Sequence, residues 1–211
     1  MINGQRVAGR GRIAVLLSGR GSNFEAIYGH SQKTGANFEI AVVISDKADA
    51  RGLQRAKDLL LPAFFVPVDE FKNKRAYENH ILDILAQYRV DLICLAGYMR
   101  LVGGVLLGAF KNRILNIHPA LLPSFPGLDA QQQALNYGVK VSGCTVHFVD
   151  DGVDSGPIIG QRAVHVMADD NVDTLGARIL KEEHGLYSEA ISLFFAGRLK
   201  IAGRRVIMLS P

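Results

Sequence analysis

Asn116 and His118 stand two residues apart in the stretch ILNIHPALLPSFPG, residues 114 to 127, where Ile and Leu otherwise read as a buried strand. Successive strand side chains alternate faces, so these two project the same way. One carries an amide donor and the other a group that titrates near neutrality. Pro119, Pro123 and Pro126 then end further pairing and stiffen the loop beyond. A lone strand histidine is more often a satisfied structural residue than a catalyst. An asparagine two positions earlier, at the carboxyl end of the same strand, moves the reading toward chemistry.

A second stretch, SGCTVHFVDDGVDSGPII over 142–159, alternates Thr145 and His147 with Val146 and Phe148 and then turns through Asp150, Asp151 and Asp154. One of these carboxylates could orient His118 and raise its pKa. The other two read as ordinary turn residues. A third stretch, SGRGSN over 18–23, places two glycines and a serine ahead of a helical pattern. Backbone N–H groups at Gly21, Ser22 and Asn23 suit a small phosphate; a glycine turn with a helix cap at Ser22 explains the same residues. A dinucleotide fingerprint would need glycine at position 24, which is Phe24, and no Gly-Lys-Ser/Thr follows for a nucleotide loop. In AGYMRLVGG, residues 96–104, Met99, Arg100 and Leu101 could wall a flat ligand or simply divide between core and surface.

Other chemistries lack their signatures. His118, His147, Cys144 and the aspartates could be metal ligands, but there is no C-x-x-C, H-x-x-x-H or H-x-E. No G-x-S-x-G elbow for a serine hydrolase is present.

The elements that must position these residues alternate. Strands are predicted at 12–18, 38–45, 63–68, 91–97, 113–119, 142–149 and 156–166. Helices are predicted from Ser22, over ARGLQRAKDLL, over FKNKRAYENHILDILAQY, and over DTLGARILKEEHGLYSEAISLFFAG. That order implies an α/β, doubly wound, mostly parallel Rossmann-like sheet, with antiparallel additions after residue 140. Ligands in such sheets bind beyond the carboxyl ends of the strands, which is where all these stretches fall.

With 211 residues, 48% hydrophobic and 21% charged, the chain can fold as one globular domain without a disulfide or metal staple. We expect a single domain over 1–211, with a flexible stretch at 1–11 and halves meeting near residue 110. Cys94 and Cys144 sit in apolar runs and read as reduced core residues, which suggests a cytoplasmic protein. No run is long and apolar enough to span a bilayer, and MINGQRVAGRGR lacks a signal peptide's apolar region. The net charge of +4 comes partly from both ends, with no long basic run or interleaved aromatics for nucleic acid. Mild attraction for anionic metabolites fits it better.

Together, LLSGRGSN, LAGYMRLV, NIHPALLPSFPG and GCTVHFVDDGVDSGPII, in that order, resemble the phosphoribosylglycinamide formyltransferase family of folate-dependent enzymes. The resemblance runs from about residue 12 to about residue 200. It implies transfer of a formyl group from 10-formyltetrahydrofolate, as co-substrate, to the amine of glycinamide ribonucleotide (GAR) in purine biosynthesis, with no metal. By that resemblance Asn116, His118 and Asp154 are the catalytic set, with Asp154 keeping His118 cationic. Gly21, Ser22, Asn23 and Glu183 would bind GAR. Lys74, Met99, Arg100, Leu101 and Val102, with Asp150, Asp151, Gly152 and Val153, would contact folate. Lys74 stands where the family carries Arg, and Leu180 where it carries Gln.

Methionyl-tRNA formyltransferase and formyltetrahydrofolate deformylase share the Asn-x-His motif but carry an added C-terminal or N-terminal domain. Neither addition is expected here, which favours GAR over tRNA or water as acceptor. A non-catalytic folate or phosphosugar binder would not need the Asn, His and Asp set. A monomer or weak homodimer is expected, since no long exposed apolar stripe is evident.

Overall fold

The computed structural model describes residues 9–210. The first eight residues, most of the stretch expected to be flexible, lie outside the described residues. The chain divides into two compact units after Ile114.

The first unit alternates strand and helix: β1 (Gly11–Leu17), α1 (Ser22–Ser31), β2 (Phe38–Ser45), α2 (Arg51–Asp58), β3 (Ala63–Phe65), α3 (Lys74–Gln87), β4 (Leu92–Leu95) and α4 (Gly104–Ala109). Its strands run in the order β3-β2-β1-β4, each pair parallel. The central strand is apolar on both faces, as a parallel strand must be when both faces are covered. Ile13, Val15, Leu16 and Leu17 are fully buried, each adding about 1.5–3 kcal/mol. Strand order reverses between β1 and β4, so the crevice for a ligand opens beyond Leu17 and Leu95.

Some boundaries differ from the sequence reading for local reasons. The third strand stops at Phe65, because Pro67 has no N–H to continue the ladder. The third helix starts at Lys74 rather than near Phe71. Asn73 is extended there, and its side chain accepts the Ala76 N–H at 2.9 Å, capping the helix. Ser22 does not cap α1; Gly21 holds that position with φ 84°.

The second unit carries β5 (Ile114–His118), α5 (Ala130–Tyr137), β6 (Val141–Phe148), β7 (Ile158–His165), α6 (Val172–Phe195), β8 (Leu199–Ala202) and β9 (Arg205–Met208). Strand order is β5-β6-β7-β9-β8, antiparallel except for β7 with β9. Antiparallel strands thus join in the C-terminal half, as the sequence predicts. The long α6 opens on a capping box, with Asn171 accepting the Asp173 and Thr174 N–H groups and Thr174 accepting the Asn171 N–H. Fully buried Tyr187 of α6 donates its hydroxyl to the Leu115 carbonyl at 3.0 Å, bracing β5 beside Asn116. Helices α4 and α5 and the β8–β9 hairpin are not anticipated by the sequence patterns. Cys94 and Cys144 are buried and form no disulfide. No helix among the described residues is long and apolar enough to cross a membrane.

Candidate active site

Strand β6 pairs with β5 so that Asn116 lies opposite His147, and His118 opposite Thr145. Directly opposed residues share a face. Four polar side chains therefore line one patch of the sheet. Thr145 holds the exit of β5 in place: its hydroxyl donates to the Ala120 carbonyl at 2.7 Å and accepts the Leu122 N–H at 3.0 Å. Gln161 of β7 adds bonds to the Leu122 carbonyl at 2.9 Å and to Thr145 at 3.0 Å.

The turn after β6 brings Asp154 into this patch. Asp150 Oδ1 accepts the Ser155 hydroxyl at 2.6 Å and the Gly152 N–H at 3.2 Å, which tightens the turn. Asp154 adopts φ 50°, a left-handed conformation that aspartate tolerates better than most residues. Its Oδ2 lies 3.2 Å from His118 Nδ1 and accepts the Gly127 N–H at 2.8 Å. Its Oδ1 faces Asn116 Nδ2 at 3.3 Å and His147 Nε2 at 3.6 Å. An ionised carboxylate only accepts, so the Asn116 atom turned toward it is the NH2 group. That same nitrogen is 3.2 Å from His147 Nε2, while His147 Nδ1 donates to the Phe148 carbonyl at 2.8 Å.

Both nitrogens of His118 thus face acceptors, since Nε2 meets the Phe125 carbonyl at 2.8 Å. Only the doubly protonated ring would satisfy both. Burial opposes that form and dominates. With His118 only 4% exposed, desolvation lowers its pKa below the ordinary value, and the Asp154 charge and Phe125 carbonyl recover only part of the loss. The nearby His147 lowers it further. Asp154 thus raises the pKa, as expected, but burial outweighs it, so the net shift is downward and biases the resting ring toward the neutral form rather than the cation. Burial also pushes the Asp154 carboxyl up, but His147, the Gly127 N–H and His118 outweigh it and hold the group below its usual range.

Asn116, His118 and Asp154 are therefore brought together as one cluster, and His147 joins it. The sequence offers His147 only as a possible metal ligand, since strand pairing alone shows that it stands opposite Asn116. Asp150 serves the turn and Asp151 is exposed. Glu183 is buried in α6; burial of the Cys144 thiol on β6, with the Glu183 charge adding to it, pushes that thiol up to about 12.

In the first unit, Gly21 opens α1 against α2. A Cβ on Gly21 would lie 2.5 Å from the Gly52 Cα, so the helix start sits where only glycine fits. Ser22 and Asn23 are the first two helical residues. Beyond β4, Met99 and Leu101 are 63% and 65% exposed rather than core. Arg100 lies 5.8 Å over the Tyr77 ring and 4.0 Å from Asp46. Lys74, at the start of α3, lies against Gly103, next to the Met99–Val102 stretch. Glu78, one turn further along α3, is buried and accepts the Gly103 N–H.

The chain is similar to known proteins over most of its length. Residues 11–191 match the model of the family described as formyl transferase. The chain is 45% identical to phosphoribosylglycinamide formyltransferase of Bacillus subtilis, over 85% of this chain and 92% of that protein. The crystal structure of glycinamide ribonucleotide transformylase 1 from Symbiobacterium toebii superposes with a TM-score of 0.94 at 54% identity, covering 96% of each chain. A formyltetrahydrofolate deformylase from Pseudomonas syringae matches with a TM-score of 0.88 over 96% of this chain and 67% of that one. At 24% identity, that likeness shows the fold alone. The chain belongs to the formyl transferase family, among its phosphoribosylglycinamide formyltransferases.

Proposed function

We propose that this chain transfers a formyl group from 10-formyltetrahydrofolate to the amine of GAR, yielding formyl-GAR and tetrahydrofolate in de novo purine biosynthesis. The observation that carries this reading is one carboxylate, Asp154, within 3.3 Å of both Asn116 and His118 in a chain of this family.

The residues support the following chemistry. The neutral GAR amine attacks the formyl carbon, and the C=O π electrons move to oxygen. Asn116 donates to that oxyanion; a preorganised donor of this sort contributes about 3 kcal/mol. His118, neutral at rest, takes the proton lost by the attacking nitrogen. The imidazolium so formed beside Asp154 stabilises the adduct. As the C–N10 bond breaks, the proton passes to N10, leaving tetrahydrofolate and the new formamide. Both side chains face protein partners before substrate arrives, so substrate must take the place of the Phe125 carbonyl at His118 and of His147 at Asn116.

Gly21, Ser22 and Asn23 are assigned to the GAR phosphate, where the start of a helix favours an anion, and Glu183 to the ribose or glycinamide end. Lys74 and Met99–Val102 are assigned to folate, as is the Asp150–Val153 turn. The exposed Met99 and Leu101 support this, since large apolar side chains beside a strand tip suit a flat ring. We further infer a single formyltransferase domain acting in the cytoplasm without metal or nucleic acid, as a monomer or weak homodimer. Sedimentation as a tetramer would contradict the last point.

Incubation with both substrates, followed by mass analysis, tests the reading. Formyl-GAR is the expected product; free formate with unchanged GAR would point to the deformylase reaction instead.

A further inference from the structure

Ser18 is the residue that ties together the two stretches assigned to the two substrates in the first unit. It follows the last residue of β1, at the point where strand order reverses. Its backbone N–H donates to the Gly97 carbonyl at 3.0 Å. Its hydroxyl donates to Asp46 Oδ1 at 2.6 Å and accepts the Met99 N–H at 2.9 Å.

The geometry leaves the hydroxyl little freedom. A serine hydroxyl has one hydrogen and two lone pairs. The short bond to the Asp46 carboxylate fixes the hydrogen and thereby turns a lone pair toward Met99. Asp46 is itself buried, 8% exposed, and its other oxygen faces Arg100 at 4.0 Å. On the other side of Ser18, the chain runs into Gly19 and then Gly21. Gly19 O accepts the Gly52 N–H at 3.0 Å, and Gly21 abuts Gly52. Residues 19–21 are thus held by α2, and residues 97–100 by Ser18 and Asp46. Ser18 is therefore the residue at which the chain entering the 19–23 turn meets the anchor of Met99.

We infer that Ser18 couples the two ligands' affinities: occupation of the Gly21–Asn23 turn by a phosphorylated ligand and of the Met99–Val102 stretch by a folate are linked through its hydroxyl. This rests on the assignment of the two stretches made above. Ser18 is a positioning residue, since it acts through the backbone of Met99 and of the turn.

The test is equilibrium binding of GAR to the full chain, with and without saturating tetrahydrofolate, which carries no formyl group to transfer. Coupling between sites typically amounts to about 5–150-fold, and is reciprocal. The unmodified protein is expected to bind GAR at least about fivefold tighter with tetrahydrofolate present. In Ser18→Ala that ratio falls toward one. In Ser18→Thr, which keeps the hydroxyl, the ratio is retained. A purely structural role would weaken both ligands in Ser18→Ala and leave the ratio alone, and that result overturns the inference. So does a ratio of one in the unmodified protein, or equal loss of coupling in the Thr variant with its thermal unfolding unchanged. If the unmodified protein binds neither ligand, the functional reading fails and this inference with it, an outcome distinct from normal binding with unaltered coupling.

Discussion

Asp154 Oδ2 lies 3.2 Å from His118 Nδ1, while the other oxygen of the same carboxylate lies 3.3 Å from Asn116 Nδ2. One carboxylate thus sets the orientation of both groups assigned to the reacting carbonyl. Asp154→Asn removes the charge and puts an NH2 group among donors that need an acceptor. The expected result is a fall in kcat of about 10²–10⁴, with the dissociation constant for tetrahydrofolate changed far less. Loss of binding with kcat intact would show that Asp154 only holds the ligand.

The buried His118 gives stability a defined pH dependence. Its pKa in the folded chain lies below the ordinary 6.5, so the unfolded chain takes up a proton first as pH falls. Unfolding free energy therefore declines as pH drops below about 6.5 and levels off once the folded-state value is passed. Asp154, whose folded value lies below 3.8, adds a further decline that begins near 3.8 and continues as pH falls through the folded value. Thermal unfolding of wild type and His118→Ala across this range checks the sign: the variant should lose the first slope. An NMR titration of His118 with a midpoint above 6.5 would refute it.

Glu78 anchors the start of α4, directly after the stretch assigned to folate. It is 2% exposed; Oε1 accepts the Gly103 N–H at the start of α4, and Oε2 faces the Leu106 N–H at 3.4 Å. Glu78→Gln leaves one of these buried donors facing an amide NH2, at a cost of about 1–3 kcal/mol. A lower Tm and a KM for 10-formyltetrahydrofolate that rises more than kcat falls are expected. An unchanged KM would detach α4 from the folate stretch.

Gly21→Ala is expected to weaken GAR binding. An L side chain at φ 84° costs about 1–2 kcal/mol, and the new Cβ would press on Gly52 from 2.5 Å. The helix start must move, so KM for GAR should rise by about tenfold or more while that for folate moves less. Equal changes in both would place the fault in general stability.

The alternating strands and helices of the first unit were legible because each apolar run was long and bounded by turn residues. Asn116 and His118 stood out as polar residues breaking an aliphatic strand. By residue type alone Asp154 stands level with Asp150 and Asp151, since the three differ in how the turn folds; only the motif resemblance singles it out. His147 was hidden because its partner, Asn116, is 31 residues away and is set by antiparallel register. The net pKa shift of His118 is hidden for a similar reason: the sequence displays the neighbouring charge, which does raise it, but not the burial that outweighs it. Helix α5, AQQQALNY, has too few apolar residues to announce a face, and β8 and β9 are four residues each.

The most direct test of the account is tetrahydrofolate release from 10-formyltetrahydrofolate, followed with and without GAR. The account predicts release only when GAR is present, abolished by His118→Ala. Release at the same rate without GAR would mean that water is the acceptor, and would contradict the assignment as a GAR formyltransferase.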